Sequence, residues 1–100
     1  MSVIVVGKMK TDPANIKKLW TNRKADFEAV ANEARAAGAL HHRWGFGDGF
    51  ITIIDEWPDA ATFESFFSGN TRIPSLMQEG GVQGPPEFTI VEAVEGPDQF

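Results

Sequence analysis

The chain has 100 residues, 42% of them hydrophobic and 23% charged, with a formal net charge of −5 and no cysteine. A chain of that size and make-up builds one modest core, and the composition is that of a folded globular domain rather than a disordered one. The acidic balance, with Lys and Arg scattered instead of clustered, argues against a nucleic-acid partner, and the absence of cysteine excludes disulfides, thiol catalysis and thiolate metal sites.

Residues 2–9 read as a central strand, because the β-branched run Val3-Ile4-Val5-Val6 suits a position buried on both faces. That run is far too short to cross a membrane or to form a signal-peptide core, so no membrane partner is expected and the expected location is cytoplasmic. Asp12-Pro13 is a helix start, the aspartate capping free amides and the proline suiting the first helical position. Apolar residues from Ile16 and Leu19 through Phe27 and Val30 to Ala34 recur at steps of three, four or seven. They predict one long amphipathic helix, closed by Gly38.

Ala39 to Phe46 and Phe50 to Trp57 read as two strands around Gly47-Asp48-Gly49, and the Asp-Gly pair predicts a hairpin turn with positive φ at both turn residues. Pro58 stops the second of these strands, and Asp59 caps a helix carrying Phe63, Phe66 and Phe67 that closes at Gly69-Asn70. A short helical piece follows from about Pro74 to Glu79. Gly84-Pro85-Pro86 reads as a rigid turn and Glu87 to Glu95 as the last strand. Residues 1–95 thus make one domain, and residues 96–100 a loose tail.

The order β-α-β-β-α-β is that of the ferredoxin-like α+β sandwich. Its helices lie on one sheet face only. A homodimer packing two sheets face to face, a dimeric α+β barrel, would cover the other; the alternative is a monomer with a wetted sheet face.

The stretch Gly38-Ala39-Leu40-His41-His42, then Phe50-Ile51-Thr52-Ile53-Ile54-Asp55-Glu56-Trp57-Pro58-Asp59 with Phe63 following, resembles the antibiotic-biosynthesis-monooxygenase-like group of dimeric α+β barrel proteins. In that group a small-residue turn leads into the second strand, and the third strand ends in an acidic residue, one spacer and a tryptophan, matched here by Asp55 and Trp57. The whole chain fits the layout. The resemblance implies a fold, and beyond it an activity of the group: cofactor-free oxygenation of aromatic polyketides, or haem degradation. The haem-degrading branch pairs an Asn on the first strand with a His on the second helix. This chain has neither, and it has no tyrosine to meet a polyketide phenol.

His41 and His42 are the only histidines, so a general base working near neutrality falls to one of them. With a two-residue turn at Asp48-Gly49, His42 lies opposite Asp55, Trp44 opposite Ile53 and Leu40 opposite Trp57, all on one face. A three-residue loop shifts the register by one and puts His41 opposite Asp55 instead. His42 and Asp55 are therefore the candidate catalytic pair, with His41, Arg43, Trp44 and Trp57 as candidate substrate-binding residues. The competing reading makes the histidines structural, the tryptophans plain packing and Arg43 a surface charge.

Adjacent histidines on a strand point to opposite faces and cannot grip one ion, so no metal is expected. Gly45, Gly47 and Gly49 precede a strand, not a helix, so no phosphate loop is expected either. The reading that follows is a small-molecule enzyme without cofactor. Its substrate would be hydrophobic, aromatic or polyketide-like, and its chemistry monooxygenase-like or cyclase-like. The alternative is a non-catalytic ligand-binding or regulatory dimer.

Overall fold

The computed structural model describes all 100 residues. Strands β1 (Val3–Lys10), β2 (His41–Gly47), β3 (Phe50–Trp57) and β4 (Gln83–Glu92) form one antiparallel sheet in the order β2-β3-β1-β4. The helices are α1 (Pro13–Asn22), α2 (Lys24–Ala37), α3 (Ala60–Gly69) and α4 (Ile73–Glu79). This is the ferredoxin-like α+β architecture.

Two helix starts follow from the chain chemistry. Asp12 accepts from the Ala14 amide at 3.0 Å with Pro13 at the first helical position, and Asp59 accepts from the Thr62 amide at 2.7 Å. The left-handed turn that ends α2 is taken by Gly38, at φ 118°, a conformation any side chain would strain.

Three expectations are corrected. The long first helix is two helices, broken at Arg23 (φ −127°, ψ 32°). No glycine or proline marks the break; the Arg23 side chain holds it, bonded to Asp26 at 2.6 Å and to Glu79 of α4. The last strand starts at Gln83, so Pro85 and Pro86 lie inside it rather than in a turn. They are tolerated because β4 is a sheet edge and its pairing with β1 is irregular between Lys8 and Lys10, where missing amide donors leave no ladder bond unmade. In the β2–β3 turn only Gly49 has positive φ, 78°, while Asp48 keeps a negative one.

The core forms two clusters between sheet and helices. Met9, Ile16, Leu19, Ile51 and Ile53 pack α1 onto one end, and Val5, Trp57 and Phe63 pack α3 onto the other. In β1, Gly7 lets the Phe88 ring of β4 lie over the backbone, since a Cβ there would come within 2.7 Å of that ring. Helix α2 contributes no buried residue. Its sheet-facing side shrinks from Phe27 and Val30 to Ala31 and Ala34, and small side chains leave space beneath it.

Candidate active site

That space is a cavity of about 550 Å³ between the sheet and the helices, lined by 24 residues of which 20 are hydrophobic. The two-residue hairpin pairs His42 with Asp55, Trp44 with Ile53 and Phe46 with Ile51. Directly paired residues share a face, so His42, Trp44, Asp55 and Trp57 all look toward the helices, and all four line the cavity. The register that places His42 against Asp55 is thus the one observed.

The geometry around Asp55 is close. Its side chain is 8% exposed, His42 Nδ1 lies 2.6 Å from Oδ1, and Trp57 Nε1 donates to Oδ2 at 3.1 Å. Residues 55 and 57 point the same way along a strand, which brings the indole N–H onto the carboxylate two positions back. A buried carboxylate needs its oxygens satisfied, and here each oxygen has a donor. An ionised carboxylate only accepts, so His42 donates from Nδ1, and the lone pair of the neutral ring sits on Nε2, which has no protein partner. The imidazole is 44% exposed and stands edge-on to Trp44, with ring centroids 5.5 Å apart. The arrangement holds a histidine in one tautomer with its basic nitrogen free.

Aromatic rings close the rest of the wall. Trp20 stands edge-on to Trp44 at 5.7 Å, and Phe27 tilts against the same ring at 6.2 Å. At the opposite end Trp57, itself 1% exposed, contacts Phe63 at 5.7 Å and Phe66 at 5.3 Å. The enclosure suits a flat apolar molecule.

Of the other candidates, His41 pairs with Glu56 and Arg43 with Ile54, positions on the sheet face away from the helices. His41 still reaches the cavity rim, whereas Arg43 does not line it. Trp20, Phe27 and Arg35 line the cavity although the sequence pattern marks the first two only as one side of a helix and does not mark Arg35. The signal available was the alanine-rich second half of that helix, too thin to fill the layer it faces. No group of three or more His, Asp or Glu side chains is placed to hold a metal ion.

No protein-family model matches the sequence, and no curated protein matches it. Solved structures do match its fold. The monooxygenase ActVA-Orf6 of Streptomyces coelicolor, in complex with nanaomycin D, superposes with TM-score 0.69 at 17% identity, over 95% of this chain and 89% of that one. SnoaB, a cofactor-independent oxygenase from Streptomyces nogalater, gives 0.64 at 15% identity over 98% of both chains. Rv0793 from Mycobacterium tuberculosis gives 0.63 at 14% identity, over 98% and 100%. What the chain shares with these proteins is the ferredoxin-like α+β fold over nearly its whole length.

Proposed function

We propose that this chain, which has the antibiotic-biosynthesis-monooxygenase-like fold, is a small-molecule enzyme that works without cofactor on a hydrophobic, aromatic, polyketide-like substrate. The observation that carries this reading is the buried Asp55 carboxylate fixing His42 on the wall of an otherwise apolar cavity. A histidine kept only for structure needs no place on the wall of an apolar cavity. Here Nδ1 is engaged by Asp55 and Nε2 has no protein partner.

The substrate would lie among Trp20, Trp44 and Trp57, and His42 Nε2 would remove a proton from a phenol or from a carbon acid next to a carbonyl. Asp55 would then face the imidazolium at hydrogen-bond distance and stabilise it. Bound substrate would displace water from the apolar walls around the anion so formed. That anion is the common starting point for attack on dioxygen, in the monooxygenase-like case, and for intramolecular ring closure, in the cyclase-like one.

The working unit is a homodimer. Val6, Ile54 and Val91 stand 36%, 45% and 48% exposed on the sheet face away from the helices, with Val6 paired directly to Ile54. A second copy packed on that face would cover them and leave the cavity, on the other side of the sheet, accessible.

The test is a library of planar phenols, quinols and polyketide-like ketones, read for binding by native mass spectrometry and for turnover by oxygen uptake and product mass. At least one compound is expected to be converted by the wild type and bound but not converted by His42→Ala. A compound that binds and is never converted, with His42→Ala no different from wild type, would replace the enzyme by the non-catalytic binding module.

A further inference from the structure

We propose that Arg35 is the anion-recognition group of this cavity, and that the ligand is a flat apolar molecule with an acidic substituent held where α2 turns into β2. The inference rests on reading the cavity as a small-molecule site, but not on His42 acting as a base.

Among the residues lining the cavity, Arg35 is the only lysine or arginine. Its charge is uncommitted. Arg23 binds Asp26 and Glu79, and Arg72 binds Asp26 at 3.0 Å and Glu33 at 3.2 Å, so each has carboxylate partners. The side chain of Arg35 donates only to the neutral side-chain oxygen of Asn32, and no carboxylate lies within ion-pair reach. Most of its five N–H donors are left for another acceptor. The one carboxylate on the cavity wall, Asp55, is occupied by His42 and Trp57. A basic residue in the last turn of a helix also complements the helix dipole, but that role needs only charge at the terminus and does not call for a place on the cavity wall.

Position decides what Arg35 reads. Its carbonyl accepts from the amide of Gly38, the chain reverses there, and β2 begins at His41. Arg35 therefore lies at the end of the cavity where its neighbours Ala34 and Ala39 pack against the cluster of Val5, Trp57 and Phe63, while Trp20, Trp44 and Phe27 make the other end apolar. A ligand with one acidic end can bind only one way round, its acid on Arg35 and its ring system inside. A planar guanidinium suits a carboxylate, a sulfonate or an ionised phenol through paired hydrogen bonds.

Two fluorescent probes of one skeleton separate the charge from the shape: anilinonaphthalenesulfonate and phenylnaphthylamine, the same ring system without the sulfonate. Wild type is expected to bind both, each displacing the other, with the sulfonate preferred. Arg35→Gln should weaken the sulfonate about fivefold to tenfold and the neutral probe less than about twofold. Lys24→Gln removes the same charge from an exposed site on α2 and should change neither. Ala34→Phe, folded by circular dichroism, should exclude both by filling the cavity. Should that variant not fold, one-to-one stoichiometry and mutual displacement on wild type mark the single site.

Equal weakening of both probes, or of neither, in Arg35→Gln would overturn the assignment while the cavity stands. A loss in Lys24→Gln matching that in Arg35→Gln would overturn it too, leaving only diffuse attraction. If folded Ala34→Phe still binds both probes, or wild type binds neither, the cavity reading itself falls and takes this inference with it.

Discussion

At Asp55 a buried carboxylate has two oxygens and two donors, and removing each donor has a different consequence. Trp57→Phe keeps most of the ring and deletes the N–H, leaving Oδ2 in the interior without its partner. That should cost about 1–3 kcal/mol in urea denaturation. Trp57→Ala, which also empties the volume of a side chain 1% exposed, should cost about 3–5 kcal/mol. If Trp57→Phe is neutral, the indole–carboxylate bond contributes nothing net. Asp55→Asn acts on the other side. The amide can turn its oxygen to Trp57 and present its N–H to His42, which makes Nδ1 an acceptor and moves the ring proton to Nε2. Nitrogen NMR of the neutral imidazole should therefore report Nδ1–H in the wild type and Nε2–H in the variant. Turnover should fall about 100-fold or more, since the nitrogen facing substrate is no longer basic. His41→Ala should leave both readouts nearly unchanged, because position 41 pairs with Glu56 on the far sheet face.

Among the helices, α2 alone has no buried residue, and a chain of charges ties it to its neighbours. Arg23 joins Asp26 to Glu79, and Arg72 joins Asp26 and Glu33 to the start of α4. The hydrogen bond from Arg23, helped by Arg72, holds the Asp26 carboxyl below the usual carboxylate range. The Thr62 amide does the same for Asp59 at the start of α3. A carboxyl whose folded value is depressed contributes stability that is full above its unfolded value and fades as the pH falls through the folded one. Both groups should therefore support the helix layer at neutral pH and release it below about pH 4. Melting temperature followed against pH should drop in acid. Asp26→Asn should start lower at neutral pH and drop less, and high salt should narrow the gap because these groups face water. Parallel curves for wild type and variant would show that the charges do not hold α2.

For the molecule as a whole, only 13 of 100 residues are buried, and the sheet face away from the helices carries Val6, Ile54 and Val91 largely open. Light scattering at micromolar concentration should give twice the chain mass. Ile54→Lys, placing a charge at the centre of that face, should give the monomer with the cavity intact. A wild-type monomer would mean that the sheet face is wetted and the barrel does not form.

Local chemistry made several features readable in advance. Asp12-Pro13 and Asp59 start helices because a free carboxylate satisfies free amides, whatever the tertiary context. Asp48-Gly49 between two strand-forming runs marked the hairpin and left two registers open, with His42 or His41 opposite Asp55. The folded turn has two residues and pairs His42 with Asp55. The alternation of a strand then put Trp57 on the same face as Asp55. What lay beyond the sequence depends on groups far apart in the chain. The break at Arg23 relies on Glu79, 56 positions away, and the prolines of β4 are admissible only because that strand falls at an edge. The cavity is set by the gap between α2 and the sheet, and a periodicity that counts apolar residues on one helix face does not register how much volume stands opposite them. Packing decided that, because the same stripe serves a filled core or a wall around empty space.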